Sequence, residues 1–240
     1  MRAILISDLH LHADLPDTQA LAVRFLRESI PDADALYILG DLFDAWVGDD
    51  DPVTWAQPFL DAVTNLSNSG TQVHLMHGNR DFLLGDAFAQ RVSATLHTDD
   101  ELLIHAGDRR ALIMHGDTLC TDDTEYLAAR EIVRGAQWQR DFLKKSLIER
   151  HAEAAQLREK SRAITASKDL ELTDANPAAC AQALDRSGAD VLIHGHTHRP
   201  AVHDCAKGQR VVLGEWLAHG TQFAEFDTNG ARLLSWPGGS

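Results

Sequence analysis

Residues 37–44 read YILGDLFD: an aromatic and β-branched run that stops at Gly40 and at once presents Asp41. Such a run is a buried strand whose carboxyl end opens into a turn, the place where α/β proteins display their chemistry. Four more runs end in the same manner. They are ILISDLH at 4–10, VHLMHGNRD at 73–81, ALIMHGDTL at 111–119 and VLIHGHTHRP at 191–200, each closing on Asp, Asn or His beside a turn.

Between these strands the sequence alternates. Residues 17–30 carry apolar side chains at Leu21, Phe25 and Leu26 with Asp17 at the front and Pro31 beyond, the pattern of an amphipathic helix. A second helix is expected over 53–68, ended by the SNSG turn. Strand, helix, strand, helix, strand implies right-handed crossovers and a largely parallel arrangement. From residue 100 the pattern changes to hairpins, one about Gly107-Asp108 and one about Asn229-Gly230. The expectation is an α/β fold with a mixed sheet, or two packed sheets, and helices outside.

Composition excludes several classes. With 22 basic and 36 acidic residues the net charge is −14, which disfavours binding of nucleic acid across the surface. No apolar run is long enough to cross a bilayer. The chain begins MRAILISDLH, with no basic segment followed by an apolar stretch and a cleavage site, so a cytoplasmic location is expected. Three cysteines, with no CxxC, suit a reducing compartment and argue against a thiolate metal site.

One segment departs from the rest. Residues 124–170 lack strand signals, and 130–168 hold ten basic side chains against five acidic ones. They are expected to form a helical insertion in a single domain spanning 1–240. Trp138 and Phe142 lie four apart, with Leu143, Leu147 and Ile148 nearby and Arg140, Lys144, Lys145 and Arg150 between them. A basic helix of this kind lies on an anionic membrane surface or binds acyl chains; the alternative is an ordinary helix packing its apolar face on the body.

The residues at the strand ends form a metal-ligand set. Asp8 and His10, two apart on an extended segment, face the same way. Asp41 offers two oxygens on one carbon, as bridging two cations requires. Asn79, His115, His196 and His198 add an amide oxygen and three imidazoles. Seven such side chains suffice for two ions, and ligation by carboxylate, amide and imidazole without thiolate favours manganese, iron or zinc. His12 and His194 adjoin ligands and are expected to orient them, as are Asp44, Asp81 and Asp117. Asp49, Asp50 and Asp51 lack the spacing of a calcium loop and read as a solvated loop near the cleft.

In this order and spacing, DLH, GDLFD, GNRD, HGD and GHTH resemble the five blocks of the calcineurin-like metallophosphoesterases. The resemblance implies an αββα sandwich of two mixed sheets and two divalent ions, with manganese foremost, bridged by an aspartate and a hydroxide. It places Asp8, His10, Asp41 and His198 on one ion and Asp41, Asn79, His115 and His196 on the other. Within the family, YILGDLFDAWVGDDDP, HGNRDFLLG, ALIMHGDTLCTDD and LIHGHTHRPAVH are most similar to members that hydrolyse a diacylated UDP-sugar in lipid A synthesis. That likeness implies attack at the α-phosphorus, release of UMP and an acylated glucosamine 1-phosphate, and substrate contacts at Asn79, Arg80, Asp123, Ser161, Thr165, Lys168 and His196. It also implies a peripheral place on the cytoplasmic face of the inner membrane, with no obligate protein partner. Another nucleotide phosphodiesterase or pyrophosphatase of the family is the alternative.

Asp41, Asn79, Arg80 and His115 are the expected catalytic residues, and Arg80 is the most telling. Many family members have histidine there, placed to protonate the leaving oxygen. Arginine cannot act as an acid near neutrality but clamps phosphate through two N–H groups. A phosphate leaving from a pyrophosphate is a stable anion and needs no proton, so Arg80 points to a pyrophosphate.

Overall fold

The structure, a computed structural model, describes residues 1–30, 32–166, 168–169 and 172–237, with the backbone alone at 165–166. Two sheets stack face to face. The first holds six strands in the order β11 (Gly230–Trp236), β10 (Thr221–Asp227), β1 (Ala3–Ile6), β2 (Ala35–Leu39), β3 (Gln72–Met76), β4 (Thr95–His97). β1 to β4 run parallel, and the β10–β11 hairpin adds antiparallel to β1. The second sheet holds β5 (Glu101–Ala106), β6 (Arg109–Met114), β7 (Val191–His194), β9 (Gly208–Val212) and β8 (Ala201–Cys205) in that order, with β6, β7 and β9 parallel.

Period-two alternation sorts each strand between two cores. Ala3 and Leu5 of β1, with Tyr37 and Leu39 of β2, meet Ile113, Ile193 and Val211 of the second sheet. Ile4, Ile6, Leu36 and Ile38 point the other way, onto α1 (Pro16–Glu28) and α2 (Gln57–Asn68). The outer face of the second sheet, through Leu112 and Leu192, is covered by α7 (Pro177–Ser187). Both faces of both sheets are therefore apolar, which is why the strands read as continuous hydrophobic runs. The layers are α, β, β, α, and the ligand loops all leave from one end of the stack.

Three helices fill the remaining segment: α4 (Thr124–Arg134), α5 (Ala136–Leu143) and α6 (Leu147–Ala166), while a short α3 (Asp86–Arg91) follows the GNRD loop. The apolar pair singled out in the sequence turns inward. Phe142 is 3% exposed and joins the same apolar cluster as the outer face of the first sheet, with Trp138 stacked on it at 4.9 Å between ring centroids. Leu143 and Ile148 are the side chains that stay exposed. No helix among the described residues is long and apolar enough to cross a membrane.

The acidic loop is solvated at Asp50 but not at Asp49 and Asp51. Asp49 accepts from the Gly85 and Phe88 N–H groups and the Trp46 indole, so it caps the start of α3. Asp50 pairs with buried Arg150, and Asp51, 9% exposed, accepts from Val53 N–H.

Candidate metal centre and adjoining clefts

Each ligand loop begins where a buried strand runs out of partners. Five of the seven expected ligands, Asp8, His10, Asp41, His196 and His198, have positive φ between 45° and 65°. A non-glycine residue there costs about 1 kcal/mol or more and persists only when its surroundings hold it. They are held by backbone bonds between loops: Asp8 N–H to Gly40 O at 3.1 Å, His10 N–H to Asp41 O at 2.9 Å, and Gly195 N–H to His115 O at 2.8 Å. Asp81 closes the frame, accepting from the N–H groups of Asp41, Leu42 and Gly78 at 3.2, 2.7 and 2.8 Å. Gly78 has no room for a side chain, since a Cβ there would lie 2.1 Å from Asp41 Oδ1.

The strained loops bring all seven side chains to one point. Asp41 Oδ1 lies 3.7 Å from His115 Nε2, and its Oδ2 lies 3.8 Å from His10 Nε2, so the carboxylate spans two groups of ligands. On one side Asp8 Oδ1 is 3.3 Å from His198 Nε2, and the His10 and His198 Nε2 atoms face each other at 3.2 Å. On the other, Asn79 Oδ1 is 2.9 Å from His115 Nε2 and 3.0 Å from His196 Nδ1. Ligand atoms of Asp8, His10 and His198 lie within 4.8 Å of one another, as do those of Asp8, Asp41 and His115.

The electrostatics fit cations. Asp8 Oδ2 is taken by Ser7 Oγ–H and the His196 N–H, but Oδ1 is buried without a hydrogen bond, as is His10 Nδ1. A buried carboxylate oxygen left in that state is costly unless a positive charge meets it. Burial pushes the Asp41 carboxyl up to about 7, with Asp81 and Asp8 adding to the rise. Burial opposes ionisation of Asp8 too, yet the neighbouring imidazoles of His198, His115 and His10 hold it well below the carboxylate range. Burial also drives His10 down to about 4 and His196 to about 3, leaving their nitrogens free to ligate at neutral pH. Divalent ions between these groups would answer each of these strains.

Two clefts meet at the centre. A polar cavity of about 310 Å³ is lined by Asp41, Asn79, Arg80, Asp123, Ser161 and His196. It shares Asn79, Arg80, Tyr126 and Ser161 with a second cleft of about 190 Å³ beneath α4–α6, whose walls include Trp46, Phe82, Trp138, Phe142 and Leu157. Of the expected substrate residues, Lys168 lies past the end of α6, bound to Asp123 at 2.5 Å. Asp123 is in turn the N-cap of α4, accepting from Tyr126 N–H. The Thr165 side chain lies outside the described residues.

His194 is fully buried beside the GHTH loop, its Nδ1 2.9 Å from Gly195 O, whereas His12 is half-buried and pairs with Asp14. Asp44 pairs with Arg158, and Asp117 accepts from Tyr126 Oη–H and Arg130 Nε–H at 2.6 and 2.7 Å. Tyr126, Arg158, Trp46 and Phe82 line the clefts, and no motif marks them. Trp46 and Phe82 stand inside the DAW and GNRDF stretches, which is the one signal the sequence offers.

The sequence matches the calcineurin-like phosphoesterases over residues 1–200, and the chain belongs to that family. The family implies divalent metal ions, and the acidic and imidazole groups described above supply ligands for them. The chain is 42% identical over 240 residues to a UDP-2,3-diacylglucosamine hydrolase of Cellvibrio japonicus, covering 98% of this chain and 99% of that protein. It is 48% identical over 225 residues to a UDP-2,3-diacylglucosamine hydrolase of Klebsiella pneumoniae subsp. pneumoniae, covering 92% and 93%. Among solved structures it resembles an archaeal phosphodiesterase with a TM-score of 0.50 at 14% identity, over 98% of this chain and 99% of that one, a likeness of fold alone.

Proposed function

We propose that this protein hydrolyses the pyrophosphate of UDP-2,3-diacylglucosamine by attack of water at the α-phosphorus, giving UMP and 2,3-diacylglucosamine 1-phosphate. The observation that carries the reading is the junction of a ligand-lined polar cavity with an apolar cleft through Asn79, Arg80, Tyr126 and Ser161. A molecule with a diphosphate at one end and acyl chains at the other matches that pair of spaces. The names of the relatives point to the same substrate.

Asp8, His10, Asp41 and His198 would hold one divalent ion, and Asp41, Asn79, His115 and His196 the other, with manganese the ion we favour. When bound, such a pair acidifies water and neutralises phosphoryl charge. Arg80 sits at the junction of the two clefts, where its guanidinium clamps the departing phosphate without supplying a proton. Asn79 and His196 face the same point and fix the phosphoryl oxygens, and His115 is aimed by Leu39 O, 2.8 Å from its Nδ1. Asp123, Ser161, Thr165 and Lys168 contact the substrate. Residues 124–170 cover the acyl chains as a lid on a single domain, and the exposed Leu143 and Ile148 beside Lys144 and Lys145 rest on the cytoplasmic face of the inner membrane.

Hydrolysis in water enriched in heavy oxygen, followed by mass spectrometry, tests the reaction. The label is expected in UMP and absent from the sugar phosphate. Label in the sugar phosphate would move attack to the other phosphorus. An intact acylated substrate beside cleaved cyclic nucleotide or DNA would replace the reading with a different phosphodiesterase.

A further inference from the structure

The loop that leaves β9 reads LGEW at 213–216 and threads between two ligand loops. Leu213 N–H donates to His194 O at 2.8 Å, and Trp216 N–H donates to Asp8 O at 3.2 Å. The Trp216 ring is buried edge-on against Phe25 at 5.3 Å between centroids. Between these anchors Glu215 turns its carboxylate onto His198, with Oε2 3.1 Å from Nδ1.

An imidazole carries its two nitrogens on opposite sides of the ring, so the hydrogen bond at one decides the role of the other. Glu215 at Nδ1 makes that nitrogen the donor. The lone pair is then left on Nε2, the atom that faces Asp8 Oδ1 at 3.3 Å and His10 Nε2 at 3.2 Å. Two of the other imidazoles have weaker support or none. His115 Nδ1 faces a neutral backbone carbonyl, and His10 Nδ1 is buried without a hydrogen bond. The two ends of the centre also differ in charge. One has Asp8 as its own carboxylate with Glu215 behind it, whereas the other has the neutral Asn79 in the corresponding place, Asp41 being shared.

We propose that Glu215 is a positioning residue that aims His198, and that it makes the Asp8–His10–His198 end the tighter of two divalent-cation positions. The two positions consequently fill in order. This rests on the divalent-metal reading of the centre, and it concerns Glu215, which no strand-end motif contains.

Manganese titration of the metal-free protein, followed by the electron paramagnetic resonance of free Mn2+, reads both binding constants without any turnover. The wild type is expected to show two unequal constants. Glu215→Ala is expected to weaken the tighter one by about ten- to a hundredfold and leave the other unchanged, the usual effect of losing the group behind a ligating histidine. Glu215→Gln keeps an oxygen acceptor for Nδ1–H and is expected to fall between the two, which separates aim from charge. In a His198→Ala background Glu215→Ala is expected to add nothing.

Equal constants in the wild type, equal weakening of both in Glu215→Ala, or a further loss in the His198→Ala background would each overturn the proposal. So would a Glu215→Ala protein that binds as the wild type does, and that result would leave the divalent reading standing. A wild type that takes up no Mn2+ would overturn both.

Discussion

The ligand loops are held by backbone, and the helices that cover them are held by charge. At the strand ends, Asp81 ties two loops through N–H groups, and glycine at 78 lets them approach within contact of Asp41. In the insertion α4 has no buried residue and α5 has one, Phe142. Its fastenings are Arg130 to Asp117 and Asp100, Arg150 to Asp50 and Val47 O, Arg158 to Asp44, and Lys168 to Asp123. A frame of buried backbone bonds opens only with the whole fold. A few ion pairs over a small apolar contact open at lower cost, so the insertion is the region of low local stability. The difference teaches that the ligand frame and the helices over it are separate mechanical parts.

The largest test breaks the frame's charge and leaves its shape. Asp41→Asn keeps an oxygen to accept from Arg80 N–H, which Asp41 Oδ1 now does at 2.8 Å, but removes the carboxylate that faces both His10 and His115. Metal content is expected to fall and turnover to drop on the order of a thousandfold or more, equivalent to about 4 kcal/mol of barrier. Activity and metal analysis on the same preparation check it. Full activity in this variant would end the dinuclear account, whatever the insertion does.

The next test acts on the insertion alone. Trp138 lines the apolar cleft and is stacked on Phe142, yet no ligand residue touches it among its ring contacts. Trp138→Ala is expected to raise KM for acylated substrate about tenfold, or about 1.4 kcal/mol, with Mn2+ affinity unchanged. Phe142 is the wrong position for this purpose. It is buried in the body's core, and truncating such a phenylalanine costs about 3–5 kcal/mol of stability. Loss of metal in Trp138→Ala would join the two parts that the comparison separates.

The same division explains what the sequence disclosed. Strands buried on both faces must be apolar throughout, and each ends abruptly where its loop turns polar, so DLH, GDLFD, GNRD, HGD and GHTH were legible with their ligands. The hairpins at Gly107-Asp108 and Asn229-Gly230 were equally plain, because positive φ at Gly107 and Gly230 demands those residues. The edge strands were not legible. β4 has three residues and β8 is largely exposed, so neither carries an apolar signature. Glu215 and Tyr126 were hidden for another reason: each owes its place to a partner outside its own element, His198 or Asp117, and such pairing leaves no periodic pattern. The inward turn of Phe142 and the capping role of Asp49 likewise depend on what packs opposite them.

The smallest expected effect measures one fastening of the insertion. Arg150 is 2% exposed and donates to Val47 O as well as to both oxygens of Asp50. Its hydrogen bond holds the Asp50 carboxyl below its ordinary value. A carboxylate depressed in the folded state contributes stability that is fully present above the unfolded pKa, about 3.9, and is lost as pH falls through the lower folded value. Asp50 is 61% exposed, so screening by water limits that contribution to about 1 kcal/mol or less. Asp50→Asn is therefore expected to unfold slightly more easily than the wild type at pH 6, with faster amide exchange over 147–158 and no change in β1 or β2. The gap between the two proteins is expected to close in acid, where the wild-type carboxyl is protonated as well. No gap at pH 6 would assign the hold on α6 to the Val47 carbonyl, a backbone tie of the kind that otherwise belongs to the body.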